Sequence, residues 1–213
     1  MGSVDLQLAR DLFATAGVRR AVETGTFRGV TARSLAGVFS EVVTIELSPE
    51  LHRSAAERLR DVPAVRALQG DSTRVLREVA DPATPTLFFL DGHWSGGKTA
   101  GAEAECPVLE EIAAIGAGHP HDCLLIDDAP LFQSAPPPPH DPALWPTLTE
   151  VFDAIRAQRP DHFVTLLADQ VLAVPQQARP AVDRYGQRLR HSGRAKVDRA
   201  WGLLQAARNA VRS

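Results

Sequence analysis

Short apolar segments that end in a glycine or an acidic residue alternate with amphipathic segments along most of this chain. Two of them, TLFFL at 86–90 and CLLI at 123–126, are apolar almost throughout, which is typical of strands buried on both faces of a parallel sheet. Strands that alternate with helices predict βαβ units. We therefore predict an α/β fold with a Rossmann-like, doubly wound sheet. The sheet is mostly parallel, has helices on both faces and gains one antiparallel strand from a C-terminal hairpin.

The same periodicity gives approximate bounds for each element. Strands are expected over 21–25, 42–47, 65–70, 86–90 and 123–126, with a hairpin over 162–167 and 171–174. Helices are expected over 3–16, 31–39, 49–60, 72–79, 105–115 and 146–158. The helix from Pro49 has a strong start signal, because Ser48 suits the N-cap and proline suits the first helical position.

Composition limits the class of protein. Of the 213 residues 44% are hydrophobic and 23% charged, and no apolar run approaches the roughly 20 residues that span a bilayer. The N-terminal sequence has no basic start followed by an apolar block, so it is not predicted to be a secretion signal. The two cysteines, Cys106 and Cys123, are too few for a disulfide scaffold and are predicted to fill apolar positions. We expect a cytoplasmic protein without a membrane segment.

The charge is distributed unevenly along the chain. The formal net charge is -3, but residues 177–213 carry nine basic and two acidic residues, a net charge of +7 that leaves -10 for the rest. We predict a domain over 1–176 and a basic helical extension over 177–213. The extension is expected to pack on the acidic domain or across a homodimer, since an acidic body argues against nucleic acid as the partner.

Three strand ends carry residues suited to a nucleoside cofactor. The first strand runs into Glu23-Thr24-Gly25-Thr26-Phe27-Arg28-Gly29, where two glycines let the backbone pass close to a ligand. The spacing lacks the first glycine of GxGxxG, which argues against a dinucleotide. Glu46, near the end of the second strand, is placed to accept both hydroxyls of a ribose. Gly70-Asp71-Ser72, after the third, could bind the edge of an adenine.

This order of motifs resembles that of class I S-adenosylmethionine (SAM) methyltransferases, over residues 15 to about 176. The resemblance implies that Gly25 and its backbone neighbours contact the amino-acid portion of SAM, that Glu46 holds the ribose, and that Asp71 or Ser72 lies at the adenine. It also implies a seven-stranded sheet. The candidate cofactor-binding residues are Glu23, Gly25, Thr26, Gly29, Glu46, Asp71, Ser72 and Asp91. The alternative is a Rossmann-like domain whose strand-end acids are incidental.

A second group of acids follows the fourth and fifth predicted strands, in Leu90-Asp91-Gly92-His93-Trp94 and Ile126-Asp127-Asp128. If these strands are parallel neighbours, three carboxylates converge and need a cation or protons to neutralise them. Oxygen ligands suit Mg²⁺, with Mn²⁺ or Ca²⁺ as alternatives. Without a metal, Asp127-Asp128 would serve as a helix cap or turn.

The arrangement resembles two groups of metal-dependent O-methyltransferases, the catechol type and the macrocin or antibiotic-sugar type. That resemblance implies Asp91, Asp127 and Asp128 as metal ligands and His93 as the base that takes a proton from an acceptor hydroxyl. Lys98 is the second candidate for the base. The implied reaction is O-methylation of a small molecule, with SAM as methyl donor and a divalent cation that orients the acceptor.

Other interpretations stay open at this point. Gly92 to Thr99 satisfies the phosphate-loop pattern GxxxxGK[ST], so a nucleotide hydrolase is one alternative. A metal-independent N- or C-methyltransferase and a non-catalytic SAM-binding module are others.

The segments near these motifs have expected roles of their own. The glycine-rich residues 95–101 could form a lid, and the proline-rich residues 135–142 form either one wall of the acceptor pocket or a plain spacer. Trp94 is expected in the core, and Glu103 and Glu105 in the first turn of a helix.

Overall fold

The computed structural model describes residues 4–94 and 105–192. These residues include seven strands: β1 Arg20–Thr24, β2 Val42–Glu46, β3 Val65–Gln69, β4 Thr86–Leu90, β5 Cys123–Ile126, β6 His162–Leu167 and β7 Gln170–Pro175. The helices are α1 Leu6–Thr15, α2 Val30–Leu35, α3 Pro49–Leu59, α4 Ser72–Val79, α5 Val108–Ile115, α6 Pro130–Gln133, α7 Leu148–Gln158 and α8 over 179–192. Short 3₁₀ turns lie at Pro142–Leu144 and Gln176–Ala178. Lys98, Glu103 and the predicted lid lie outside the described residues.

The strands form a single sheet in the order β3-β2-β1-β4-β5-β7-β6. Strands β1 to β5 pair in parallel, whereas β7 is antiparallel to both β5 and β6. The order reverses at β1, from which the chain first builds outward to β3 and then returns to add β4 and β5. The predicted fold class and its single antiparallel strand are confirmed. In open sheets of this kind ligands bind at the carboxyl ends of the strands, next to this reversal.

Helices cover both faces of the sheet because alternate strand residues point to opposite sides. In β4, Leu87 and Phe89 pack with α1, α2 and α8, whereas Phe88 and Leu90 pack with α4, α5 and α7. Every residue of β1, β2, β4 and β5 is buried. The site at the carboxyl ends of these strands therefore rests on a rigid, fully packed base.

Helix α8 belongs to the sequence that was expected as an extension. Its Ala181, Val182 and Tyr185 are buried in the core cluster that contains α1. Arg188 contacts Asp5 and Asp11, the capping residue and an acidic residue of α1, at 3.5 and 3.2 Å. Residues beyond 192 lie outside the description, and the division of the chain at residue 176 stays a prediction.

Several predicted helices have different bounds, among them α1, which covers Leu6–Thr15 rather than 3–16, and α7, which begins at Leu148 rather than at residue 146. Helix α5 begins at Val108 rather than at residue 105, since Pro107 takes the N-cap position and the Glu105 side chain is bonded to a distant segment. The prediction that Glu105 lies in the first turn of this helix is wrong. Helix α2 ends at Leu35, four residues early, and continues as turns. Within the described part of the chain, no helix has the length and apolar character to cross a membrane.

Candidate active site

The loop after β1 fits tightly against the end of β4. Gly25 has a φ of 80°, and a Cβ there would lie 2.0 Å from the backbone oxygen of Asp91. Its N–H and that of Thr26 donate to the Ile45 carbonyl at 2.9 and 3.2 Å, which ties the loop to β2. Gly29, with a φ of 71°, is the N-cap of α2. Glycine is therefore required at position 25 by the close approach to Asp91, and it is favoured at both 25 and 29 by the left-handed backbone conformation.

Glu46 fixes this loop from the neighbouring strand. Its carboxylate is almost fully buried, with one oxygen accepting from the Phe27 N–H and the other from the Ser48 N–H, both at 2.9 Å. These bonds aim the carboxylate at the end of the sheet and leave further lone pairs on both oxygens. Glu46 is the last residue of β2, and its predicted contact with a ribose stays a prediction.

Glu23 lies beneath the same loop. It is buried, and its Oε2 accepts from the Thr44 hydroxyl at 2.6 Å, while Thr44 and Thr26 share a hydrogen bond of 2.7 Å. Burial raises the pKa of Glu23 to about 8, against the opposing effect of the Thr44 hydrogen bond. Its bond to Thr44, which in turn bonds to Thr26, ties Glu23 to the loop, and its predicted contact with the cofactor stays a prediction.

Asp71 caps helix α4. Its carboxylate accepts from the N–H groups of Thr73 and Arg74 at 2.8 and 3.2 Å, and the bond from the Thr73 hydroxyl is the largest cause of its lowered pKa. Ser72 is the first residue of α4. Both residues lie at the carboxyl end of β3, and their predicted role at an adenine stays a prediction.

The ends of β4 and β5 bring together Asp91, His93 and Asp128. The Nε2 of His93 lies 3.0 Å from Asp128 Oδ2, and its Nδ1 lies 3.4 Å from Asp91 Oδ1. One ligand atom from each of the three residues falls within 4.8 Å of the others. Asp128 reaches this position with a φ of 53°, in the left-handed region. A strained residue beside convergent polar groups is typical of functional sites.

The charges of this group are strongly coupled. Burial raises the pKa of Asp91 to about 7, although His93 opposes this effect. Burial acts to lower the pKa of His93, but its bond to Asp128 and the charges of Asp91 and Asp128 outweigh burial and raise it. The bond from His93 lowers the pKa of Asp128. Asp128 is therefore the ionised partner that holds the imidazole.

Asp127 is not among the ligand atoms that converge in this group, although its charge contributes to the raised pKa of Asp91. Its Oδ1 accepts from the Gln170 side chain at 3.2 Å, and its buried Oδ2 has no hydrogen-bond partner among the described residues. The structure thus brings together two of the three predicted metal ligands, Asp91 and Asp128, and adds His93 in place of Asp127. Two carboxylates and an imidazole are a donor set that fits a divalent cation such as Mn²⁺ or Zn²⁺ as well as Mg²⁺.

Sequence reasoning missed Glu111, which is 1% exposed on helix α5. Its Oε1 has no hydrogen-bond partner among the described residues and would lie 2.7 Å from a Cβ at Gly92. Burial raises its pKa to about 7, with the Ser72 and Thr24 hydroxyls opposing the shift. A signal was present: Glu111 shares the buried helix face with Val108, Ile112 and Ile115, a spacing that places a carboxyl in the core.

Comparisons with known proteins agree with this geometry at the level of the fold. No protein-family model matches the chain, and no curated protein matches its sequence. Solved structures do match: an O-methyltransferase from Bacillus cereus in complex with S-adenosylhomocysteine (SAH) has a TM-score of 0.56 and 17% identity, over 83% of each chain. The chain has the class I methyltransferase fold.

Two further structures share this methyltransferase fold. SAH-bound methyltransferase PaMTH1 from Podospora anserina is 19% identical, with a TM-score of 0.53 over 82% of this chain and 79% of its own. Cofactor-bound Rv0187 from MTB is also 19% identical, with a TM-score of 0.56 over 82% of this chain and 81% of its own. At 19% sequence identity the likeness establishes the fold alone.

Proposed function

We propose that this protein is a SAM-dependent methyltransferase that transfers a methyl group to a hydroxyl oxygen of a small-molecule acceptor. The observation that carries the proposal is His93, held between Asp91 and Asp128 beside the Gly25 loop. An imidazole at this place can take a proton from an acceptor next to the expected position of the cofactor. The O-methyltransferase of Bacillus cereus supports the same reaction through its shared fold.

The cofactor is assigned to the loop and strand ends. In this proposal the backbone of Gly25, Thr26 and Gly29, with Asp91, binds the amino-acid portion of SAM, and Glu46 binds the ribose. Asp71 or Ser72 binds the adenine. Glu23 supports the loop from below through Thr44. SAM supplies a methyl group on a sulfonium, which is lost to a nucleophile when the two are held in line.

His93 is proposed as the general base. Asp128 accepts the Nε2–H at 3.0 Å and so fixes the tautomer and the ring orientation. The Nδ1 lies 3.4 Å from Asp91 Oδ1, which is longer than a normal hydrogen bond, so we assign the lone pair of this nitrogen to the proton of the acceptor. The acceptor oxygen then forms its bond to the methyl carbon as the carbon–sulfur bond breaks, and the sulfonium becomes the neutral thioether of SAH.

The same geometry also supports a second possibility, the binding of a divalent cation. The grouping of Asp91, His93 and Asp128 is the specific observation in its favour. A cation bound there would lower the pKa of an acceptor hydroxyl and orient it. In that case His93 would serve as a ligand, and the predicted set of Asp91, Asp127 and Asp128 with Mg²⁺ would need a rotation of Asp127 away from Gln170.

A mass-spectrometric screen tests these alternatives. Purified protein is incubated with SAM and a panel of phenols, catechols, sugars, amines and peptides, with and without EDTA. We expect methylation of a hydroxyl acceptor and the formation of SAH. Loss of activity with EDTA and recovery with Mg²⁺ or Mn²⁺ would support the cation. Methylation only of nitrogen or carbon would contradict O-methylation, and hydrolysis of ATP without any SAM turnover would favour the nucleotide hydrolase.

A further inference from the structure

The segment over 134–147, here called the proline-rich segment, ends at the candidate site. Its Trp145 is 7% exposed, and the Trp145 ring lies 5.5 Å from the His93 ring and 6.1 Å from Phe132 of α6, between ring centroids. Trp145 therefore forms a wall on one side of the His93 imidazole. A base that must present one nitrogen to an acceptor depends on such a wall for its orientation.

The backbone of this segment has little to hold it in place. Its four consecutive prolines have no N–H to donate. Among the described residues, the backbone N–H groups of His140, Leu144 and Trp145 bond only to carbonyls within the segment. Something other than the backbone must fasten the proline-rich segment to the rest of the domain.

Glu105 makes that connection. Its Oε2 accepts from the Trp145 indole Nε1–H at 2.7 Å and lies 2.9 Å from His140 Nδ1, and its Oε1 accepts from the Asp141 N–H at 3.1 Å. Its own backbone carbonyl accepts from the Trp94 N–H at 2.7 Å, just beyond His93. Glu105 is 3% exposed, so its bonds to the proline-rich segment are shielded from water.

The Glu105 carboxylate is ionised in this setting. Burial acts to raise its pKa, but the hydrogen bonds from Trp145, Asp141 and His140 outweigh burial and lower it. Hydrogen bonds to an ionised acceptor are stronger than those between neutral groups. Glu105 thus bonds to all three residues of the aromatic group that borders His93, which is formed by Trp94, His140 and Trp145. Its carboxylate bonds to His140 and Trp145, and its backbone carbonyl bonds to Trp94.

We propose that Glu105 is a positioning residue for the methyl-transfer site, which fastens the proline-rich segment so that Trp145 shields and orients His93. The inference rests on the proposed function for the role of His93. The latch itself, Glu105 with its three bonds, can be tested without any acceptor. Glutamine at position 105 has nearly the same shape but only one accepting oxygen, so it cannot satisfy all three donors.

The test compares Glu105→Gln with Glu110→Gln, a matched change at an exposed position of α5. Modification of histidines by diethylpyrocarbonate is followed by mass spectrometry, and hydrogen exchange is measured over residues 136–145. We expect Glu105→Gln to raise the modification rate of His93 by about tenfold or more and to speed exchange in this segment. His162, which bonds to Asp122 at the opposite end of the sheet, should keep its rate.

The controls separate a local effect from unfolding. Trp145→Phe keeps a ring beside His93 but removes the indole donor, so we expect it to raise the modification rate of His93 by less than Glu105→Gln does. It serves as the test variant if Glu105→Gln does not fold. Equal rates at His93 in Glu105→Gln, Trp145→Phe and the wild type would overturn the proposal, as would a parallel increase at His162. SAH binding, measured by calorimetry, should be unchanged in Glu105→Gln. A wild type that does not bind SAH would contradict the proposed function while leaving the latch to be judged by the modification rates.

Discussion

In the proposed reaction, catalysis depends on His93 more than on any other side chain. Its two nitrogens face Asp128 and Asp91 at unequal distances, 3.0 and 3.4 Å, so only one of them is held by a hydrogen bond of normal length. In the proposed reaction this ring is the base, and its bond to Asp128 fixes the tautomer. If a cation occupies the group instead, the same residue becomes a ligand, and its loss would weaken metal binding as well as turnover.

Replacement of His93 should separate chemistry from cofactor binding. We expect His93→Gln to lower kcat by about 10²- to 10⁴-fold, the usual contribution of a general base, with SAH affinity unchanged. Steady-state kinetics and calorimetry with SAH check this result. His191→Gln, at an exposed position of α8, is the matched control and should behave as the wild type. A kcat within twofold of the wild type in His93→Gln would remove His93 from the mechanism.

Glu111 makes the stability of the protein depend on pH. In the unfolded chain its carboxyl loses the proton near the usual pKa of 4.5, whereas the folded protein keeps this proton up to about 7. This residue therefore stabilises the folded state below pH 4.5, and its contribution is lost between these values, by roughly 1.4 kcal/mol per pH unit. We expect Glu111→Gln to be more stable relative to the wild type at pH 8 than at pH 5.

Urea unfolding at pH 5 and pH 8 measures this effect. Glu110→Gln is the control on the same helix, since Glu110 is exposed. A stability difference between Glu111→Gln and the wild type that is the same at both pH values would show that the Glu111 carboxyl ionises normally in the folded protein.

At the scale of elements, the loop after β1 is the part of the fold that tolerates least change. Gly25 and Gly17 both have a φ near 80°, but only Gly25 faces a neighbouring backbone atom, whereas nothing lies within 4 Å of a Cβ at Gly17. We expect Gly17→Ala to cost roughly 1 kcal/mol from its backbone conformation alone. Gly25→Ala adds a clash with Asp91 and should cost about 1–3 kcal/mol more.

Urea unfolding of the two variants gives the difference, and calorimetry with SAH gives its consequence at the site. Gly25→Ala should also weaken SAH binding, because relief of the clash has to move the loop or the end of β4. Equal stability of the two variants would contradict the close approach of these two strand ends.

The elements were more predictable from sequence than the contacts between them. Helix α3 begins at Pro49 as predicted, because the Ser48-Pro49 signal is local. Asp127 and Asp128 follow β5 as predicted, but consecutive residues at a strand end point in different directions, and sequence alone does not say which one faces His93. Glu105 was misplaced because its partners lie 35 to 40 residues away, beyond the reach of a local pattern.

At the scale of the whole molecule, ion pairs between α8 and α1 neutralise part of the uneven charge along the chain. Arg184 and Arg188 of α8 lie 3.8 and 3.2 Å from the Asp11 carboxylate of α1, so basic residues from beyond 176 meet acidic residues near the N-terminus. These exposed pairs contribute little stability. The apolar face of α8 contributes more, since Val182 and Tyr185 are buried in the core.

Truncation tests where the folded domain ends. We expect a chain that stops after residue 176 to be less stable than one that stops after residue 192 by more than about 3 kcal/mol, because it exposes the core surface under Val182 and Tyr185. Thermal and urea unfolding of the two truncated chains measure the difference. Equal stability would support a domain that is complete at residue 176.

Calorimetric titration of the wild type with SAH measures whether SAM binds at the carboxyl ends of β1 to β4, as we propose. ATP and NAD serve as competing nucleoside ligands in parallel titrations. We expect saturable binding of SAH with one site per chain, weakened by Gly25→Ala and unchanged by His93→Gln. Binding of ATP with no measurable affinity for SAH would contradict the proposal.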